Sequence, residues 1–321
     1  MDDERAAASG GTTLSKETLQ VTANQTSENK IYLTGFADEA AKDLDGQIRA
    51  TLELGWSNIE SRAIDGTNLH DLSDEAFEQV VEKLAASGVK VNCFGSTIAN
   101  WGKQITDPFD VDLEQTKRAI TRMQRLGTKL IRIMSYAVLK DRSPEDQMFE
   151  ERVARLRTLT QMFLDAGIQP VHENCMNYGG MGWSYSLRLV DQVPGLKLVY
   201  DTGNPIFTDD RTKLEPFPKQ SSWEFYSHVK DHIAYVHIKD GRMEGEKTIY
   251  SWPGEGDGDV RRVCADLIEN GYAGGVSIEP HMGAVFHDSS VKTDDDARYS
   301  MYVEYGRRME AMLRELGATL A

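Results

Sequence analysis

Four residues in the second half of the chain have side chains able to hold a cation or move a proton. They are Glu173 in PVHENC, Asp201 in LVYDTGNP, His237 in YVHIKD and Glu279 in SIEPH, and successive members are 28, 36 and 42 residues apart. Each closes a short apolar run that reads as a β-strand. Three carboxylates and one imidazole meeting at a point would repel each other unless a cation sat among them. Oxygen donors with a single nitrogen suit one hard or borderline divalent ion, Mn²⁺ first, with Mg²⁺, Co²⁺ and Zn²⁺ as alternatives. Four protein ligands on an octahedral ion leave two positions, which two neighbouring sugar oxygens would fill. A lone strand-end carboxylate is ordinarily a loop cap. Recurrence at four successive strand ends is what argues for a site.

Such residues converge only if their strands run parallel with their C-terminal ends on one side. Eight strand candidates occur, at 31–36, 58–63, 89–95, 130–136, 168–174, 196–203, 234–240 and 274–280. Helical segments of period 3.6 lie between them, and DARYSMYVEYGRRMEAMLRELG reads as the last helix. Gly55, Gly88, Gly127, Gly167 and Gly271 each follow a helical run, where a left-handed cap is expected. Ser73 and Asp74 are candidate N-caps. Alternation of strands and helices predicts parallel strands, and eight of them close a TIM barrel. The rival, a doubly wound sheet, lacks the GxGxxG that a dinucleotide fold needs after its first strand. The expected fold is one (β/α)8 TIM barrel over residues 31–321, forming a single catalytic domain. Residues 1–30, rich in Ser, Thr, Ala, Gly and Gln, read as a flexible N-terminal tail.

Strand alternation assigns directions. In YVHIKD, Val236 and Ile238 face the helices while Tyr235, His237 and Lys239 point inward. In VSIEPH, Val276 and Ile278 face out while Ser277 and Glu279 point in, with His281 on that side if the strand runs past Pro280. Asp201 shares a side with Val199. Glu60 and Arg62 share a face, and Ser135 falls in line with Ile131 and Ile133. Glu60 and Arg62 would touch substrate or pair with each other across the barrel. Lys239 would hold a substrate hydroxyl or carboxylate, or pair with Glu279 or Asp240. His281 would reach the pocket, whereas His172 should point outward and pack. Trp101, Trp183 and Trp252 lie in loops that would wall a sugar. PGEGDGD (253–259) reads as a turn with Asp259 capping the next helix, and not as a phosphate cradle, because no P-loop lysine follows. Thiolate chemistry at Cys175 lacks a paired base.

The chain carries 36 Lys and Arg against 51 Asp and Glu, a formal net charge of −15. That balance opposes binding to a phosphate backbone. Three separated cysteines without CxxC argue against a disulfide framework and for a reducing, cytoplasmic setting. No apolar run has transmembrane length, and the first twenty residues lack a signal core. The expected partner is a small sugar, with no nucleic acid and no membrane, and a homo-oligomer is compatible with the sequence.

VHEN, YDTGNP, VHIKD and SIEPH at successive strand ends resemble the xylose isomerase-like barrel superfamily, over residues 31 to about 315. NIESRAIDGTN and NCFGSTI resemble its sugar phosphate isomerase/epimerase branch. The group includes sugar isomerases, ketose 3-epimerases, inosose dehydratase and endonuclease IV. The resemblance implies that Glu173, Asp201, His237 and Glu279 are metal ligands, and that the two glutamates exchange protons with the two faces of the substrate. Ketose 3-epimerases carry a substrate-binding histidine three residues after the metal aspartate, where this chain has Asn204. They also carry a second glutamate soon after the first, where this chain reads NCMNYGGMGW. Endonuclease IV needs several histidines that this chain lacks. The implied function is a divalent-metal-dependent sugar isomerase or epimerase. It would act on a ketose or keto-sugar by proton transfer through a metal-bound enediolate. The alternative is a metal-dependent lyase, dehydratase or hydratase of keto-sugars such as 3-keto-glycosides on the same site. An abasic-site endonuclease and a noncatalytic sugar-binding barrel rank behind these.

Overall fold

The computed structural model describes residues 30–283 and 293–321. The tail expected over 1–30 therefore lies outside the described residues, apart from Lys30. Strands form where β-branched and aromatic residues alternate with smaller or polar ones. They are β1 (Tyr32–Gly35), β2 (Asn58–Ser61), β3 (Lys90–Gly95), β4 (Leu130–Ile133), β5 (Gln169–Glu173), β6 (Lys197–Asp201), β7 (Ile233–Ile238) and β8 (Gly275–Ile278). Each pairs in parallel with its neighbour in sequence from β2 through β8, and β8 pairs with β1. The two ends of this sheet meet at one parallel bridge, Phe36 with Glu60. The strands thus run in sequence around a barrel, which a doubly wound sheet would not allow.

The helices are α1 (Leu44–Glu53), α2 (Asp74–Ser87), α3 (Asp110–Leu126), α4 (Phe149–Asp165), α5 (Trp183–Gln192), α6 (Ser222–Val229), α7 (Val260–Glu269) and α8 (Asp295–Glu315). Ser73 caps α2 by accepting the Ala76 N–H at 3.2 Å, and Asp74 is the first helical residue. Gly88 and Gly127 end α2 and α3 at φ 73° and 74°, left-handed conformations where a Cβ would be strained.

Two apolar layers fix which residues face the barrel axis. Ile131, Ile133, Val236, Ile238, Val276 and Ile278 pack outward into the core shared with the helices. Cys93, Val171, Val199 and Tyr235 form a separate inner layer. Below it, the Tyr235 hydroxyl accepts from Asn92 Nδ2 at 2.9 Å, and Asn92 Oδ1 accepts from the Thr34 hydroxyl at 2.9 Å. Burying each large outward side chain contributes roughly 1.5–3 kcal/mol. A one-residue slip of β7 would turn Val236 and Ile238 inward and His237 outward, so the core fixes the direction of the chemistry.

Ser135 falls in line with the isoleucines as expected, which takes it away from the barrel axis. It shares the side of Ile131 and Ile133, and that side faces the helices. Its hydroxyl accepts the Gly179 N–H at 2.9 Å and lies 2.9 Å from His172 Nε2. His172 itself points outward and is fully buried, as expected, and burial holds its pKa down at about 4.

The loop after β7 corrects the reading of Asp259 as a cap. A hairpin pairs Gly241–Glu244 with Lys247–Tyr250, and residues 253–259 return to α7. Asp240 organises the whole loop. Its carboxylate accepts N–H groups from Gly241, Gly254, Gly256 and Gly258 at 2.7–3.1 Å. A Cβ at Gly256 would stand 2.3 Å from Asp240 Oδ1, so this approach requires glycine. Asp259 does not cap α7 with its side chain. Its backbone is left-handed, φ 51°, and not the extended form that folds a cap back onto the helix. Trp183 opens α5 with its ring 3.9 Å from that of His228, and Trp252 packs on Tyr305 and Arg308. Both stand outside the loops' cavity wall, which leaves Trp101. Among the described residues, no helix is long and apolar enough to cross a membrane.

Candidate metal centre

The ends of β5, β6 and β7 and the residue after β8 bring Glu173, Asp201, His237 and Glu279 together. One donor atom from each lies within 4.8 Å of all the others, and all four residues are buried. Donors at ~2.1 Å from a common cation are at most ~4.2 Å apart, so small side-chain movements close this cluster on an ion.

Two atoms test the fit. His237 Nδ1 is buried without a hydrogen-bond partner, and Asp201 Oδ2 meets only the Lys239 ammonium, at 3.1 Å. Buried polar atoms are rarely left so unless something else satisfies them. His237 Nε2 lies 3.0 and 3.2 Å from the two Glu60 oxygens. A proton on Nε2 donated to Glu60 leaves the Nδ1 lone pair free, 3.5 Å from Glu173 Oε1 and 4.0 Å from Glu279 Oε2. This is how metal-binding histidines are commonly oriented, with a carboxylate behind the ring. Asp201 Oδ1 is occupied by the N–H groups of Gly203 and Asn204, at 2.8 and 2.7 Å, which presents Oδ2 to the centre. The donor set fits a divalent ion.

Cations of the protein surround this core. Arg132 donates to Glu173 Oε2 at 2.7 Å, and Arg62 to Glu279 Oε1 at 3.1 Å. Lys239 Nζ lies 3.0 Å from Glu279 Oε2 and 3.1 Å from Asp201 Oδ2. Burial alone would raise the Glu173 pKa, but the Arg132 guanidinium overrides it and holds the carboxyl at about 2. Burial likewise opposes ionisation of Glu279, and Lys239, His281 and Arg62 together keep it well below the usual range. Asp201 is pushed up to about 7 by burial, with Lys239 only partly offsetting it. Burial disfavours a charged His237, yet Glu60 and Glu173 raise it to about 10.

These values bear on loading with metal. A ligating Nδ1 must shed its proton, so binding is expected to release about one proton from His237 at pH 7, and part of one from Asp201. Apparent affinity should therefore climb as pH rises toward 10 and fall steeply below 7. Calorimetry of Mn²⁺ binding in buffers of differing ionisation heat would count the protons. A heat independent of buffer would refute this wiring.

The remaining sequence candidates divide clearly. Arg62, Asn204, Lys239 and His281 line a cavity of about 170 Å³ above the cluster, together with Glu173, Glu279, Trp101 and Tyr250. Asn204 Nδ2 donates to Glu173 Oε1 at 3.2 Å. His281 is held by Glu39, whose Oε2 accepts its backbone N–H at 2.8 Å and whose Oε1 lies 2.9 Å from its Nδ1. Glu60, expected to touch substrate or pair with Arg62, pairs with His237 instead and is not part of the cavity wall. It sits fully buried behind His237, because β2 shifts register between Ile59 and Glu60. Arg62 instead reaches Asp38, Glu39 and Glu279. Lys239 takes its ion-pairing reading with Glu279, adds Asp201, and leaves Asp240 to the loop. Burial and the nearby Glu173 push the Cys175 thiol far up, which disfavours a thiolate.

Sequence reasoning missed Arg132. The signal was present in LIRIMSY. A charged residue between two isoleucines in a barrel strand has only the inner side to face. Asp38 and Glu39 follow β1 in a short 3₁₀ turn and carried no such signal.

A family model described as "Xylose isomerase-like TIM barrel" matches residues 48–301. No curated protein matches the chain. Among solved structures, a xylose isomerase-like TIM barrel protein from Mycobacterium smegmatis in complex with magnesium superposes with a TM-score of 0.66 at 17% identity, covering 91% of this chain and 98% of that one. D-psicose 3-epimerase with D-tagatose from Clostridium cellulolyticum H10 gives 0.64 at 17% identity, with coverages of 89% and 99%. A probable 3-DHS dehydratase from Bacillus anthracis gives 0.61 at 14% identity, with coverages of 88% and 98%. At such identities these likenesses speak to the fold.

Proposed function

The chain belongs to the xylose isomerase-like TIM barrel family, and from that premise we propose that it is a divalent-metal-dependent sugar isomerase or epimerase acting on a ketose or keto-sugar. The supporting observation is the convergence of Glu173, Asp201, His237 and Glu279, with His237 Nδ1 left without a hydrogen-bond partner at its centre. A divalent ion there would polarise a carbonyl and its neighbouring hydroxyl and so acidify the adjoining C–H; Mn²⁺ is our first choice.

The chain's own groups then carry the proton. Glu173 and Glu279 stay ionised at neutral pH, so both are ready to accept one. A carboxylate held at about 2 is a weak base and takes a proton only from an acidified carbon. Its protonated form is correspondingly disfavoured, so the proton is handed back promptly. Passage of that proton to the second glutamate and its delivery to the other face gives epimerisation, and return by the first glutamate to the neighbouring carbon gives isomerisation. Lys239 stands beside Glu279 and Asp201 and can hold a developing oxyanion. Asn204 can bind a hydroxyl through its amide but cannot carry a proton. Trp101 walls the cavity against water.

Asn204 also favours a second reading, loss of a β-substituent in a lyase or dehydratase reaction, because it stands where ketose 3-epimerases place a histidine. Both chemistries start with loss of a carbon-bound proton and separate afterwards. Metal-loaded protein in deuterated water, given free ketoses, phosphorylated ketoses and 3-keto-glycosides, should incorporate label with substrate mass otherwise conserved. A product lacking a leaving group would instead establish the lyase. Absence of both label and product across the panel would refute proton abstraction.

A further inference from the structure

Phe36 follows β1 and is fully buried, yet it belongs to neither of the two apolar layers. Its ring meets side chains of the metal centre instead. The guanidinium carbon of Arg62 lies 4.5 Å from the ring centroid and that of Arg132 lies 5.5 Å from it. The His237 ring stands edge to face with it, centroids 5.0 Å apart.

The two arginines have matching tasks. Arg132 donates to Glu173 Oε2 at 2.7 Å, and Arg62 donates to Glu279 Oε1 at 3.1 Å. The other two oxygens, Glu173 Oε1 and Glu279 Oε2, are the ones that face His237 Nδ1, at 3.5 and 4.0 Å. Each arginine thus holds the outer oxygen of one glutamate and leaves the inner oxygen turned to the centre. A guanidinium is drawn to the face of an aromatic ring, most strongly where water does not compete. Both arginines are buried.

Two further observations bear on the ring. Arg132 Nε is buried with no hydrogen-bond partner among the described residues, and an aromatic face beside the guanidinium offsets part of that loss. The ring is also held in place. Phe36 N–H donates to Ile278 O at 3.1 Å, and Phe36 bridges to Glu60 where the barrel closes. From the side, a Cβ at Gly95 would stand 2.5 Å from Phe36 Cε1, so β3 approaches this closely only as glycine.

We infer that Phe36 is a positioning residue of the metal centre: one ring holds Arg62 and Arg132 together, so that Glu279 and Glu173 each present one oxygen to the ion. This rests on the reading of the four converging residues as a metal centre. Phe36 is no part of the cavity wall, so it acts through the arginines and His237 and not on substrate. Both glutamates answer to the same ring, and a change in its charge distribution reaches both at once.

The test replaces Phe36 in the full chain by 4-fluoro-, 3,5-difluoro- and 3,4,5-trifluorophenylalanine. Fluorine withdraws electron density from the ring face stepwise while nearly keeping its shape, so packing is held and the attraction for cations is not. Mn²⁺ affinity, measured by calorimetry, should fall with each step, by about tenfold across the series. In metal-free protein, exchange of the Arg62 and Arg132 Nε protons with water, followed by NMR, should quicken in the same order. Phe36→Leu should weaken Mn²⁺ binding at least as far, with circular dichroism on the same sample to show that it folds. Mn²⁺ affinity unchanged across the fluorinated series would overturn the inference and leave the metal centre standing, even if arginine exchange is graded. Arginine exchange unchanged while affinity falls would overturn the route through the arginines. Absence of Mn²⁺ binding by the wild type would overturn the metal centre, and the inference with it.

Discussion

Replacing Glu279 by Gln is expected to lower turnover by about 10³-fold or more while leaving the barrel folded. General acid–base groups contribute about 10²–10⁴-fold on their own, and this substitution also removes one ligand charge. The amide is nearly isosteric. Its carbonyl oxygen can still accept from Arg62 Nη1, now 3.1 Å from Glu279 Oε1. It cannot accept a proton from carbon, and it no longer balances Lys239. The proper comparison is Asp201→Asn, which should lose metal affinity and regain rate as metal is added. Glu279→Gln should stay slow at saturating metal. Exchange rates in deuterated water, with metal content and circular dichroism on the same samples, would decide. A Glu279→Gln protein within tenfold of wild-type turnover would remove Glu279 from the proton path.

Glu60→Gln should weaken metal binding about 10–100-fold, the usual cost of altering a partner behind a metal-binding histidine. Gln can still accept from His237 Nε2, so geometry is largely kept. What is lost is the charge that makes the imidazole a strong donor. The same change removes the chief source of the raised His237 pKa, so less proton should be released on loading. Weaker affinity together with reduced release identifies an electrostatic role. Unchanged affinity would mean that Glu60 only fills space.

The barrel was legible because its periodicity is redundant. Eight strands, five glycines after helices and the inward parity of Tyr235, His237 and Lys239 all point the same way. The four converging residues were legible for the same reason, since parity and strand end together define a position in space. Ser135 shows the limit of that logic. Parity gives two sides but not which is inner, and the isoleucines, packed outward, supply the answer. Glu60 shows another limit, since a register shift at Ile59 cannot be read from one strand alone. Asp240 was hidden for a third reason. Its partners are four backbone N–H groups, and backbone geometry leaves no trace in residue type except the glycines that permit it.

The Asp240 loop sets a constraint on how this protein can diversify. Four amides converging on one carboxylate fix the loop's perimeter, because an inserted residue would pull at least one of them away. The hairpin that the loop encloses ends at Tyr250, whose ring sits 5.1 Å from that of His281 at the inner cavity. That flank of the pocket is therefore inherited as a unit, changed wholesale or not at all. The opposite flank hangs on the loops after β4 and β5, where Val138 and Met176 are half-buried or exposed and can be exchanged singly. A mutational library aimed at new substrates should find its gains at 137–141 and 176 and its dead clones at 254–258.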